Sequence, residues 1–98
     1  MGILTSNEVA DALRYASVDD VPQAAFNDAA AVDAHLKEAT GWDWGSDLNV
    51  HPLAKKAGSL LLQMWFDDRG KDGEYGITNL IIGLKNIATA NKEALAND

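Results

Sequence analysis

The segment LLLQMWF, residues 60–66, holds six apolar residues in seven and then turns abruptly into DDRG. Extended back to His51-Pro52 and forward to about Asp68, it predicts one helix with proline in its first turn. At 100° per residue, Leu53, Ala54, Ala57, Gly58, Leu60, Leu61, Leu62, Met64 and Trp65 cover roughly half of the helix circumference. Lys55, Lys56, Ser59, Gln63 and Asp67 hold most of the rest. A stripe this wide needs partners on more than one side. The chain must therefore build a helical core around this segment, with Leu61 and Trp65 near the middle of the arc. Phe66 lies beyond the arc, among polar positions, and is the residue expected to meet another subunit.

The other segments supply partners for such a helix. Thr5-Ser6-Asn7-Glu8 reads as a capping box, with Leu4 and Val9 placed as a hydrophobic staple. Val9, Ala12, Leu13 and Ala16 follow as a short apolar stripe, and Arg14 falls in the last turn, where the helix dipole favours a cation. Asp20-Val21-Pro22 predicts a second start, with Asp20 as cap. Val21, Ala25, Ala29, Val32, Leu36 and Ala39 make its apolar face, and Gly41 stops it. GWDWGSDLNV, with two tryptophans between glycines, predicts a structured loop. RGKDGEYG, with three glycines in eight residues, predicts a mobile connection. A last helix is expected from about Thr78, with Ile77 and Ile82 as staple and Leu80, Ile81, Leu84, Ile87 and Ala88 as its apolar face. Past Asn91 the pattern thins, which predicts a frayed helix end or tail over 91–98, mobile in the free protein and ordering on assembly.

The expected fold is thus all-α: one domain, residues 1–98, built as a bundle of about four helices with a tryptophan-containing loop between the second and third. A chain of 98 residues supports one modest core. The expected core residues are Leu36, Leu53, Leu61, Met64, Trp65, Leu80 and Leu84.

Chemistry is sparse. With no cysteine, a disulfide framework and thiolate metal ligands are excluded, and a reducing compartment fits. His35 and His51 stand on different elements, so solvent-facing or capping roles are expected rather than metal ligation. Asp67 and Asp68, as helix neighbours, point about 100° apart and do not share one site. No GxSxG, P-loop, HExxH or EF-hand pattern occurs. Neither enzymatic activity nor a cofactor is expected. Trp42 and Trp44 form either a lid over the end of the bundle or a protein-docking loop. Arg69 either pairs with Asp67 or Asp68 or bridges to an acidic neighbour. The start of the chain lacks the pattern of a secretory signal, and no apolar run reaches membrane-spanning length. A cytoplasmic site of synthesis is expected. The net charge of −7 disfavours DNA binding as the main task.

The order of these segments resembles the small head–tail connector proteins of tailed bacteriophages, also described as DNA-packaging or head-completion adaptors. The resemblance runs through LTSNEVADALRYASVDD, FNDAAAVDAHLKEATG, HPLAKKAGSLLLQMWFDDRG and GITNLIIGLKNIA. Leu84-Lys85 stands where the family has Leu-Arg, and lysine lacks the planar fork for a bidentate contact. The resemblance implies a structural virion protein at the head–tail junction, assembled in the host cytoplasm as a ring under the portal. Its implied partners are the portal protein, the next tail-side connector or stopper protein, and further copies of itself. DNA would pass through the lumen without specific binding, and no membrane is involved. On this reading Arg14, Trp42, Trp44, Phe66, Arg69 and Lys85 are the candidate interface residues. A second reading is a small acidic helical inhibitor that imitates DNA. It requires carboxylates gathered on one face, whereas here acids occur in every segment.

Overall fold

The computed structural model describes residues 2–66 and 74–96, the side chains of 74–76 excepted. Over these residues the chain forms an all-α bundle of four helices: α1 Ser6–Ala12, α2 Gln23–Thr40, α3 Pro52–Phe66 and α4 Glu74–Ala96. Two 3₁₀ turns, Val18–Asp20 and Trp44–Ser46, lie in the connections. α3 packs on each of the other three helices, as the width of its apolar stripe requires. The tail of the expected third helix at Asp67 and Asp68, and Arg69 with most of the glycine-rich connection, lie outside the described residues.

Local chemistry sets the helix ends. Thr5 Oγ1 accepts from the Glu8 N–H at 3.1 Å, and the Glu8 carboxylate accepts from the Thr5 N–H at 2.9 Å, completing the capping box. α1 ends earlier than its stripe implied. Leu13 caps it, and Arg14 adopts a left-handed φ of 63° just beyond. The Tyr15 N–H reaches back to the Ala10 carbonyl at 2.9 Å and the Arg14 N–H to Asp11 at 3.2 Å, a Schellman closure. Arg14 is therefore past the helix rather than in its last turn, and Ala16 is exposed. Asp20 does not cap α2 but sits in the 3₁₀ turn, and Pro22 takes the cap position with extended backbone. The residue before a proline is pushed out of the helical region, so the helix starts only after Pro22. Gly41 closes α2 at φ 76°, as expected of a glycine there. His51 starts α3: its Nδ1 accepts from the Leu53 N–H at 3.1 Å.

α4 departs from expectation at its start. It begins at Glu74, four residues before Thr78, and its helix continues past Asn91 to Ala96. Burial stops before helicity does, since residues 92–96 are all exposed. Ala, Lys, Glu and Leu are strong helix formers, and extending an existing helix is far easier than nucleating one.

The core centres on Val9, Leu13, Ala25, Val32, Leu36, Trp44, Ala54, Ala57, Leu61, Leu62, Leu84 and Ala88, all buried. Leu53, Met64 and Leu80, expected in the core, are half-buried at its margin. Trp65 corrects the sequence reading: it is 43% exposed, with its ring edge-on to His35 at 5.4 Å. It points along the buried arc, but in the last turn of α3. A helical wheel gives a side chain's direction, not how far along the axis neighbouring elements cover it. Phe66 is half-buried and packs against the core rather than standing free.

The N-terminal segment is strapped over α3. Ile3, 1% exposed, lies close to Gly58, where an added Cβ would come within 3.4 Å of it. The Ile3 N–H donates to the Asp33 carboxylate at 3.1 Å. Burial pushes the Asp33 carboxyl above its ordinary value, against the Ile3 N–H and the N-terminal amine; the charge of Asp43 adds to the rise. On α1, burial also opposes ionisation of Glu8, but its bonds to Lys55 at 2.5 Å and to Thr5 prevail and hold that carboxyl below its ordinary value.

The two acids therefore respond oppositely to acid. The Glu8 contribution is present above the ordinary carboxylate range and is lost as pH falls through its lowered pKa. The Asp33 contribution is present below its ordinary pKa and is lost as pH rises through the raised one. Glu8→Gln should destabilise the protein at neutral pH and converge with wild type in acid. Asp33→Asn keeps an acceptor for Ile3, should be at least as stable as wild type at neutral pH, and should lose that advantage in acid. Urea denaturation across the carboxylate range checks both signs. An Asp33→Asn protein weaker than wild type at neutral pH would overturn the assignment.

Candidate interaction surfaces

The tryptophan loop is built around one buried ring. Trp44 is 1% exposed, and its indole N–H donates to Thr40 Oγ1 at 2.8 Å. The Thr40 hydroxyl donates in turn to the Leu36 carbonyl at 2.6 Å, so the buried polar chain is satisfied at each step. Trp42 is half-buried with its indole N–H on Asp47 at 3.0 Å, and its ring lies 6.5 Å from that of Trp44. The His51 ring meets Trp44 edge-on at 6.3 Å. Trp44 is thus part of the core and offers nothing to a partner, which corrects its place among the candidate interface residues.

The remaining candidates do not converge. Arg14 is exposed beyond α1, Lys85 is exposed on α4, and Phe66 is half-buried at the end of α3. Arg69 lies outside the described residues. Among the described residues no three His, Cys, Asp or Glu side chains are grouped to hold a metal ion, and no helix is long and apolar enough to cross a membrane.

Two surface features escaped the sequence reading. Leu48, in the loop before α3, is 99% exposed. It borders a cleft of about 560 Å³ between the N-terminal segment, its own loop and Lys55. A second, more apolar groove of about 300 Å³ lies between α3 and α4, lined by Leu53, Lys56, Leu60, Asn79, Leu80 and Gly83. Leu53 and Leu60 come from the edge of the wide α3 stripe, half-buried at the margin of the core. Leu48 and the groove are separate features, the first beside the N-terminal segment and Lys55, the second between α3 and α4. The one hint in the sequence was a lone leucine in an otherwise polar SDLN stretch.

Charge is also divided. Residues 2–50 carry nine carboxylates against Arg14 and Lys37, whereas residues 51–98 carry six carboxylates against six lysines and arginines. Acids occur in both halves, but the net charge of −7 resides in the first. Within α2, however, Asp28, Asp33 and Glu38 recur every five residues, so each is turned about 140° from the last. They do not line one face at phosphate-like spacing, as imitation of DNA would need.

No family profile, curated protein or solved structure matches this chain.

Proposed function

We propose that the chain is a structural subunit of a tailed-bacteriophage head–tail junction, a connector that forms a ring under the portal. The ring continues the DNA channel and offers its far side to the next tail-side connector or stopper protein. One observation carries this reading: the bundle leaves Leu48 fully exposed and, separately, an apolar groove open between α3 and α4. A subunit that repeats by rotation needs two different surfaces, since a heterologous contact closes into a ring. The order of helical segments, from the capped α1 to the proline-opened α3, supports the same reading.

Light scattering of the pure protein, alone and mixed with its cognate portal protein, tests it. A stable complex of portal with several copies of the chain is expected. A portal that binds other tail-side components but never this chain would overturn the proposal.

The charge of −7 has a place in this function. Each phosphate neutralised by a protein adds affinity through counterion release, so a basic conduit would hold DNA that has to slide. The free protein should show no measurable binding to duplex DNA at physiological salt, checked by fluorescence anisotropy. Tight, salt-sensitive binding would count against the connector reading.

A further inference from the structure

We propose that residues 2–4 form a latch, closed over α3 while the Asp33 carboxyl is neutral and opening as it ionises, with α1 and the rest of the bundle left in place.

The strap has a built seat. Ile3 is 1% exposed although it belongs to no helix. Beneath it lies Gly58, buried within α3, where an added Cβ would touch Ile3 at 3.4 Å and Leu4 at 3.7 Å. A larger side chain at 58 would stand where the strap lies. On α2 the strap meets Asp33. The Ile3 N–H donates to Asp33 Oδ1 at 3.1 Å, and the Gly2 backbone lies so close to Oδ2 that a Cβ there would fall within 2.7 Å of it. Closing the strap therefore takes water away from this carboxyl.

The strap also has a fixed end from which to lift. Thr5 is held as the cap of α1 by its two bonds with Glu8. α1 is held in turn by buried Val9 and by the ion pair of Glu8 with Lys55. Residues 2–4 are held by the Ile3 and Leu4 side chains and by the bond to Asp33. Lifting them joins the seat of Ile3 to the cleft beside Leu48, of which the strap forms one wall.

Ionisation works against closure. Burial is the largest influence on Asp33 and opposes its charge, and Asp43 of the tryptophan loop opposes it further. The Ile3 N–H and the N-terminal amine favour the charge but do not prevail. Lys37, one turn along α2, pairs instead with Asp43 at 3.9 Å. Of the α3 lysines, Lys55 is taken by Glu8 and Lys56 lines the α3–α4 groove. Asp28 and Glu38 on α2 are turned about 140° from Asp33. With the strap lifted, water replaces it around the carboxyl. The closed state thus binds the Asp33 proton more tightly than the open one. Closure is favoured below the ordinary carboxylate range and weakens as pH rises through the raised value.

The chain has no cysteine, so Ile3→Cys places a single thiol under the strap. Its reaction with dithiodipyridine, taken relative to the same chain unfolded in urea at the same pH, measures opening, because the ratio removes the thiol's own pH dependence. Protection should fall severalfold as pH rises across the carboxylate range, with an unchanged helical spectrum. With Asp33→Asn added, protection should stay at its acid level throughout. Amide exchange of the Ile3 N–H, with and without Asp33→Asn, reads the same opening in a chain whose strap is unaltered. At every pH that amide should be far less protected than the amide of Leu62, since the latch opens without the bundle. Ile3 protection equal to that of Leu62 would overturn the proposal, because the strap would then leave only on global unfolding. So would protection that ignores pH while Asp33 is present, or a pH response that survives Asp33→Asn.

Discussion

Replacing Trp44 by alanine should cost about 3–5 kcal/mol, the range for truncating a buried large aromatic side chain. The whole domain is expected to hold about 5–15 kcal/mol, so the variant would be close to unfolded. Two effects add. The indole packs fully buried between the end of α2 and the start of α3, and its loss leaves a cavity lined by Leu36 and His51 neighbours that tight helix ends cannot close. It also removes the donor that anchors the loop to Thr40. Thr40→Val separates the two effects. It keeps the side-chain volume but leaves the indole N–H buried without an acceptor, at a cost of about 1–3 kcal/mol. Urea denaturation of both variants gives the comparison. A Trp44→Ala protein within experimental error of wild type would show that the ring is not part of the core.

The second large effect is expected at Leu62, fully buried on α3. Leu62→Ala should cost about 2–5 kcal/mol, and Leu61→Ala, at 4% exposure, should fall in the same range. Trp65→Ala, three residues on, should cost less, about 1–2 kcal/mol, because nearly half of the indole surface already lies in water. The ordering matters more than the absolute values, since the larger side chain is expected to give the smaller loss. Chemical denaturation midpoints with unchanged slopes would measure it. A Trp65→Ala variant that lost more than Leu62→Ala would place the packing of α3 on the wrong arc.

Features written over three or four residues were legible in the sequence. The Thr5–Glu8 capping box joins groups three residues apart, and its geometry follows once any helix forms there. Gly41 ends α2 because a left-handed backbone costs glycine little. The same locality explains Val9, Leu13, Val32, Leu36 and Leu84, whose spacing fits one face of one helix. The start of α4 was not legible. Glycines at 70, 73 and 76 read as loop, and a helix already nucleated downstream extended through Gly76 despite a propensity cost of about 1 kcal/mol per glycine. At its other end apolar periodicity left a frayed helix and a tail both open, because periodicity reports packing, and packing stops near Asn91 while helical propensity continues.

What the sequence determined by itself is the class of the protein: a cysteine-free, acidic, all-α bundle whose third helix had to be surrounded. That follows from periodicity and from the free energy of burying so wide a stripe. Tertiary structure alone decided which of two similar side chains was buried. Trp44 rather than Trp42 entered the core, because a loop has no period to assign a face. Trp65 came to face water although its direction is inward, because coverage along a helix axis depends on where other elements end. Tertiary structure also made the α3–α4 groove and left Leu48 exposed beside the N-terminal segment. Both are products of distant segments meeting, and such juxtapositions exist only once the chain has folded.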